Sequence, residues 1–214
     1  MKTPTNRTAL AIKSCHKYAE RRKALYDTWL KDVDTDFFFL LGAAPNGAPD
    51  CDGIPDALYS SAVTSDAFAD IAPKILLAVE YALEDNVANL CVCDDDSYIC
   101  WPRMKDSGFE KFDYLGFVRN YGHVPYMQGS CYCLSERAME EIVRRSSIMR
   151  CGIPDDVAVG HCLNRAVPYT HEHRFQVSDP YPEPQQWPRK DNDIIAVHKL
   201  NTLQMRECHS SLSK

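Results

Sequence analysis

Three strand-length apolar runs, Ala9–Ile12, Thr35–Leu41 (TDFFFLL) and Asn89–Cys93 (NLCVC), are continuous rather than alternating. A strand that is apolar at every position is buried on both faces, and the usual cover is a layer of helices on each side. The segments between the runs have helical spacing. Leu25 and Trp29 are four apart, and Ile71, Ile75, Leu76, Val79 and Leu83 form one stripe at three- and four-residue intervals. Pro73 fits only a first turn, so the regular helix of the Asp66–Leu83 segment is expected to begin near Ala72. Tyr114–Val118, Tyr132–Leu134, Tyr169–Val177 and Ile194–Val197 read as further strands, and Leu58–Val63 as a short one. Ser135 is an expected N-cap for a helix over Glu136–Arg145, and Pro154-Asp155-Asp156 opens another that runs to Asn164. Gly42–Pro55, Tyr121–Gly129 and the proline-rich Asp179–Pro188 are predicted as irregular. Strands alternating with helices predict an α/β sandwich with a central, mostly parallel mixed sheet, one domain over residues 1–200, followed by a polar tail or linker over 201–214.

Composition narrows the class. The 214 residues carry a net charge of -6, which disfavours a protein held by nucleic-acid phosphates but leaves room for a local basic cleft near Arg144, Arg145 and Arg150. No stretch approaches the roughly 20 apolar residues of a spanning helix, and Met1–Arg7 lacks the apolar centre of a signal peptide. The expectation is a cytoplasmic protein without membrane contact. Its ten cysteines are therefore read as reduced. Cys91 and Cys93, like Cys131 and Cys133, are two apart and share a strand face. They read as buried packing rather than a zinc site, which would place its ligands at a turn.

Lys13-Ser14, Asp94-Asp95-Asp96 and His198 each follow a predicted strand. In open α/β sheets ligands bind beyond the carboxyl ends of the strands. Three adjacent aspartates repel one another, and a divalent cation relieves that repulsion. Hard oxygen donors suit Mg²⁺ or Mn²⁺, and Mn²⁺ also accepts an imidazole. The competing reading of the triplet is a solvated turn, and that of His198 is a structural role. His171-Glu172-His173 is a second candidate cluster. Asp155-Asp156 suits either a helix N-terminus or a general base. The basic turn Glu20-Arg21-Arg22-Lys23 is either solvated or a phosphate contact, and Gly129 suits close approach to a ligand. Trp101, Tyr121 and Tyr126 are candidates for stacking on a sugar.

Taken in order, these segments resemble the fringe-like β1,3-glycosyltransferases, which have the GT-A fold. ALAIKSCHKYAERRKALYDTWL over Ala9–Leu30 is similar to the family's first strand, its Arg-rich segment and its Thr-Trp. SDAFADIAPKILLAVEYAL, with Lys74, is similar to the helix before the metal motif. CDDDSYI resembles the DxD-type motif, GSCYCLS the acceptor-side strand, PDDVAVG the Pro-Asp-Asp motif, and IIAVHKL the terminal strand with its metal-binding histidine. The resemblance implies Asp94, Asp96 and His198 as ligands of Mn²⁺ (or Mg²⁺), with Asp96 the direct one. It implies a nucleotide-sugar donor, UDP-linked, at Lys13, Ser14, Arg22, Lys74, Asp94, Asp95 and Gly129. It implies Asp156, or else Asp155, as the base that deprotonates a glycan or glycoprotein hydroxyl, with inversion. Family members carry a membrane anchor and disulfides, neither of which is expected in this chain, and a compact member of this kind suits a large DNA virus or a bacterium.

Two rival classes remain open at this stage. The same chemistry can serve a modified DNA base as acceptor, and an aspartate cluster at a strand end also serves a phosphohydrolase or nucleotidyltransferase. A non-catalytic nucleotide or glycan binder is the third alternative.

Overall fold

The computed structural model describes residues 7–42, 56–59, 63, 65, 67–176 and 187–213. The irregular segments predicted at Gly42–Pro55 and Asp179–Pro188 lie almost entirely outside these residues.

A seven-stranded sheet forms the centre, in the order β3-β2-β1-β4-β7-β6-β8. Its strands are β1 (Thr8–Lys13), β2 (Asp36–Leu41), β3 (Ala57–Tyr59), β4 (Asn89–Asp94), β6 (Tyr114–Tyr121), β7 (Val124–Ser135) and β8 (Tyr169–His171). The pairings β3·β2, β2·β1, β1·β4 and β6·β8 are parallel, and only those of β7 are antiparallel. Strand order reverses at β1, whose register sets Lys13 opposite Asp94 of β4. That is the switch point where open α/β sheets bind their ligands.

Both faces are covered, as the continuous apolar runs require. Leu10, Ile12, Phe39, Leu41, Cys91 and Cys93 face one core, closed by α1 (Ala19–Asp27), α3 (Trp101–Asp106) and α6 (Thr202–Ser213). Ala9, Ala11, Leu40, Leu90 and Val92 face the other, closed by α2 (Ile71–Glu84), α4 (Glu136–Arg144) and α5 (Asp155–Leu163). Neighbouring residues of one strand thus enter different cores, the alternation that pleating imposes. The nine described cysteines are free, and all but Cys151 are buried. Burial pushes the Cys93, Cys131 and Cys133 thiols well above their ordinary value, so they pack as small apolar groups. Ser135 caps α4 by accepting the Ala138 N–H at 3.2 Å. Pro73 sits in the first turn of α2, after a short 3-10 turn over Phe68–Asp70.

Several expectations are corrected. Tyr121–Gly129 is not a loop: β6 and β7 pair as a hairpin, with Tyr121 opposite Val124, so ladder bonds satisfy a backbone that local composition marked as irregular. The polar segment after Leu200 is helix α6. Met205, Cys208 and Leu212, spaced by three and four, meet the first core. Tyr169–Val177 splits into β8 and β9 (Phe175–Gln176), in different sheets. Ile194–Val197 contributes only β10 (Ala196–Val197), in a three-stranded sheet with β9 and β5 (Tyr98–Ile99). No helix among the described residues is long and apolar enough to cross a membrane.

Candidate functional site

The carboxyl ends of β1 and β4 open into a cleft of about 380 Å³ lined by Lys13, Tyr18, Arg21, Lys74, the three aspartates and His198. The aspartate turn is held from several sides. Asp95 N–H donates to Lys13 O at 3.1 Å, Trp29 Nε1–H to Ser97 O at 3.1 Å, and Ser97 Oγ–H to Ser130 O at 2.8 Å. Trp29 is fully buried. An indole in that position is worth about 3–5 kcal/mol of packing, so the turn rests on a stiff floor.

His198 arrives from the other end of the chain. β10 pairs with β5, placing Val197 opposite Tyr98, and Leu200 N–H donates to Asp96 O at 2.9 Å. Lys199 takes a left-handed φ of 66° to make the turn. His198 Nε2 then lies 3.2 Å from Asp94 Oδ2 and 3.0 Å from Asp96 Oδ1. One ligand atom from each of Asp94, Asp96 and His198 falls within 4.8 Å of the others, so the three form a candidate metal triad. Two carboxylate oxygens and an imidazole nitrogen suit Mn²⁺ or Mg²⁺. Burial lowers the affinity of His198 for its proton, but the two carboxylates outweigh burial and raise its pKa to about 9.

Asp95 and Asp94 differ in their surroundings. Asp95 is enclosed: Ser14 Oγ–H donates to it at 2.6 Å and Arg21 at 2.9 Å. Burial pushes its carboxyl up to about 6 despite these partners. For Asp94, burial acts upward but Lys13 and His198 prevail, leaving it at about 2. Lys13 is the hub of the charge network. Its ammonium, 6% exposed, lies 2.9 Å from Asp94 Oδ1 and 2.9 Å from Asp155 Oδ2. It thereby ties the metal triad to the first turn of α5. Gly129 allows this, since a Cβ there would stand 2.7 Å from Lys13 Nζ.

Asp155 and Asp156 open α5 behind Pro154. Asp155 is buried and spent on Lys13. Asp156 is half-buried; it accepts the Val157 N–H at 2.8 Å and the Gly129 N–H at 3.2 Å. Burial and the neighbouring Asp155 charge raise its pKa above the ordinary value, against the opposing pull of Lys13 and the two N–H groups. A carboxylate so lifted is a suitable proton acceptor.

The expected residues therefore gather, with shifts in detail. Lys74 is buried and donates to Ser14 O at 3.2 Å. Arg22 lies beneath the cleft, donating to Ser14 Oγ at 3.1 Å and to Cys15 O. Its neighbour Arg21 is the one that lines the cleft, stacked 4.0 Å from the Tyr18 ring centroid, with Lys17 4.8 Å from the same ring. The signal for these was the i,i+4 spacing of Lys17 and Arg21, which sets both on one side of a helical turn. Other candidates fall away. Trp101 is buried and donates to Asp34 at 2.8 Å, so it is core. Glu172 binds Arg174 at 2.6 Å, and His171 Nδ1 accepts the Val118 N–H at 3.1 Å. Among the described residues only Asp94, Asp96 and His198 meet as a metal cluster. Arg144 and Arg145 both pair with Glu141, which dissipates the basic patch.

No protein-family model matches the sequence, and no curated protein aligns with it significantly. Solved structures do share the fold. A crystal structure of a glycosyltransferase involved in the glycosylation of the major capsid of PBCV-1 matches with a TM-score of 0.55, covering 95% of this chain and 99% of that one at 15% identity.

Proposed function

We propose that the chain is a metal-dependent glycosyltransferase that moves a sugar from a nucleotide sugar, UDP-linked, to a hydroxyl of a glycan or glycoprotein. The observation that carries this reading is the meeting of Asp94, Asp96 and His198 at the switch point of a glycosyltransferase-like fold, with Asp156 tied to the same centre through Lys13 and Asp155. The six fringe-like motifs support it, because the cleft gathers residues from most of them.

Asp94, Asp96 and His198 would hold Mn²⁺ or Mg²⁺, which supplies positive charge to a leaving diphosphate. Arg21, which lies against Asp95 and Asp96, and Lys17, both stacked on Tyr18, bind and orient the donor's phosphates, and Tyr18 with the exposed Phe68 offers a face to the nucleobase. Lys13 holds Asp155 still, so that Asp156 keeps its place at the start of α5. Asp156 takes the acceptor's proton as its oxygen attacks the anomeric carbon in line, and the configuration inverts. The Gly129 N–H fixes the receiving carboxylate, whose lifted pKa favours the transfer. The DNA-base acceptor finds less support, because Arg144 and Arg145 are already committed to Glu141.

A donor screen tests the reading. The protein is incubated with a panel of nucleotide sugars, with Mn²⁺ or with chelator, beside Asp96→Ala. Mn²⁺-dependent release of UDP from one donor, reduced at least a hundredfold in the variant, is the expected result. Release of phosphate or pyrophosphate instead would move the protein to the hydrolase or nucleotidyltransferase class. No release and no metal-dependent nucleotide binding would end the proposal.

A further inference from the structure

Beyond the cleft, the hairpin of β6 and β7 continues past Asp156 and carries exposed aromatic groups on a fixed support. From Gly129, whose N–H binds Asp156, the strand runs back to Tyr126, three residues and roughly 10 Å away. There it presses on α5. A Cβ at Gly160 would stand 2.5 Å from Tyr126 Cβ and 2.8 Å from Pro125 O, so only glycine permits this contact. One residue further along α5, His161 meets Tyr121 of the hairpin tip, ring centroids 6.4 Å apart and edge to face. Along the helix His161 is about 7.5 Å from Asp156. Tyr121 is 58% exposed, although it is a large ring at the end of a strand. Gln128 lies back along the strand beside Gly129, about 13 Å from Val124, the residue opposite Tyr121, and is oriented by Arg119, which donates to Oε1 at 3.1 Å. The hairpin is thus seated on the helix that bears the candidate base, with Tyr121 and His161 in contact at its tip.

Building on the glycosyltransferase reading, we infer that the hairpin tip and α5 form a subsite for the second sugar of the acceptor, received on Tyr121 and His161, with Gln128 nearer Asp156 to hydrogen-bond the first. The chemistry fits a pyranose. Its C–H hydrogens carry partial positive charge and meet the negative face of an aromatic ring, while its hydroxyls take amide and phenol partners. The distances place this subsite beyond the ring whose hydroxyl faces Asp156. A nucleic acid would need several cations here, and the hairpin over residues 114–135 carries a single arginine and no lysine. The acceptor is then at least a disaccharide, made by a transferase that acts earlier.

Saturation-transfer NMR on the protein loaded with Mn²⁺ and UDP tests the inference. The probes are methyl glycosides of common hexoses, pentoses and deoxyhexoses, beside methyl disaccharides built from them. At least one disaccharide should bind tenfold or more tightly than either component, with saturation on both rings. Tyr121→Ala and His161→Ala should each remove the second ring's saturation and at least fivefold of the affinity, and Tyr121→Trp should keep both. Equal binding of mono- and disaccharides, unchanged binding in both alanine variants, no glycoside binding, or displacement of the sugar by a peptide or oligonucleotide would each overturn it. UDP titrated into the same samples separates the two ideas. UDP binding without glycoside binding refutes the subsite, whereas glycoside binding without UDP binding refutes the transferase.

Discussion

The two sides of the candidate active site are built by different means. The cleft at β1 and β4 is dense with charge. Lys13, Arg21, His198 and three aspartates are mutually bonded there, with Lys13 and Asp95 buried and the others half-buried. The hairpin side is sparsely charged, exposes its aromatic groups, and is positioned by backbone contact through Gly160 rather than by ion pairs. A buried charge network tolerates few changes, since each removed partner strands another charge. A backbone-clamped hairpin can change its exposed side chains with little cost to the fold. On the proposed reading the donor side is thus the constrained half, and the acceptor side is the half free to vary.

The largest test of that contrast is Asp156→Asn, at the seam. It should lower the rate by about 10²- to 10⁴-fold while UDP binding with Mn²⁺ persists. The base must be ionised, so the rate rises with pH through its raised pKa. The acid limb of the wild-type pH–rate profile should therefore lie above the ordinary aspartate value of 3.8, and it should vanish in the variant. An unchanged profile would move the base elsewhere. Next, Gly160→Ala forces the hairpin from α5 and should cost about 1–3 kcal/mol in urea unfolding. It should raise the acceptor KM and leave the UDP Kd alone; an equal loss on both sides would erase the distinction drawn above. Gly129→Ala should cost less, about 1–2 kcal/mol, because the end of a flexible lysine can swing away at the loss of a charged hydrogen bond. Unlike Gly160→Ala, it should weaken Mn²⁺ binding and turnover together, read by calorimetry and donor release. The smallest effect belongs to His173→Ala, at an exposed position outside both halves. Stability should change by under about 0.5 kcal/mol, with Mn²⁺ stoichiometry unchanged.

Much of the scaffold was legible because its signals are local. TDFFFLL and NLCVC declare strands covered on both faces, the Ile71–Leu83 stripe declares a helix, and Ser135 declares a cap. The triplet at the end of β4 and Asp155-Asp156 at the start of a helix were visible for the same reason. The hairpin was misread because its backbone is satisfied by a partner strand, which composition does not encode. Helix α6 was missed because its apolar positions are few, and they count only once the first core lies beneath them. Arg22 and Arg21 were not separable, since neighbouring residues on a helix differ only in which direction they face.

The sequence by itself determined the strands, their helical cover, and an acidic turn at the end of a strand. Only the tertiary structure decided that His198 stands beside Asp96, that Lys13 holds Asp94 together with Asp155, 142 residues after the lysine, and that Tyr121 meets His161 over α5. Periodicity reports how a residue relates to its near neighbours along the chain. Pairings between distant segments follow from strand order and register, which are set by the packing of the whole sheet.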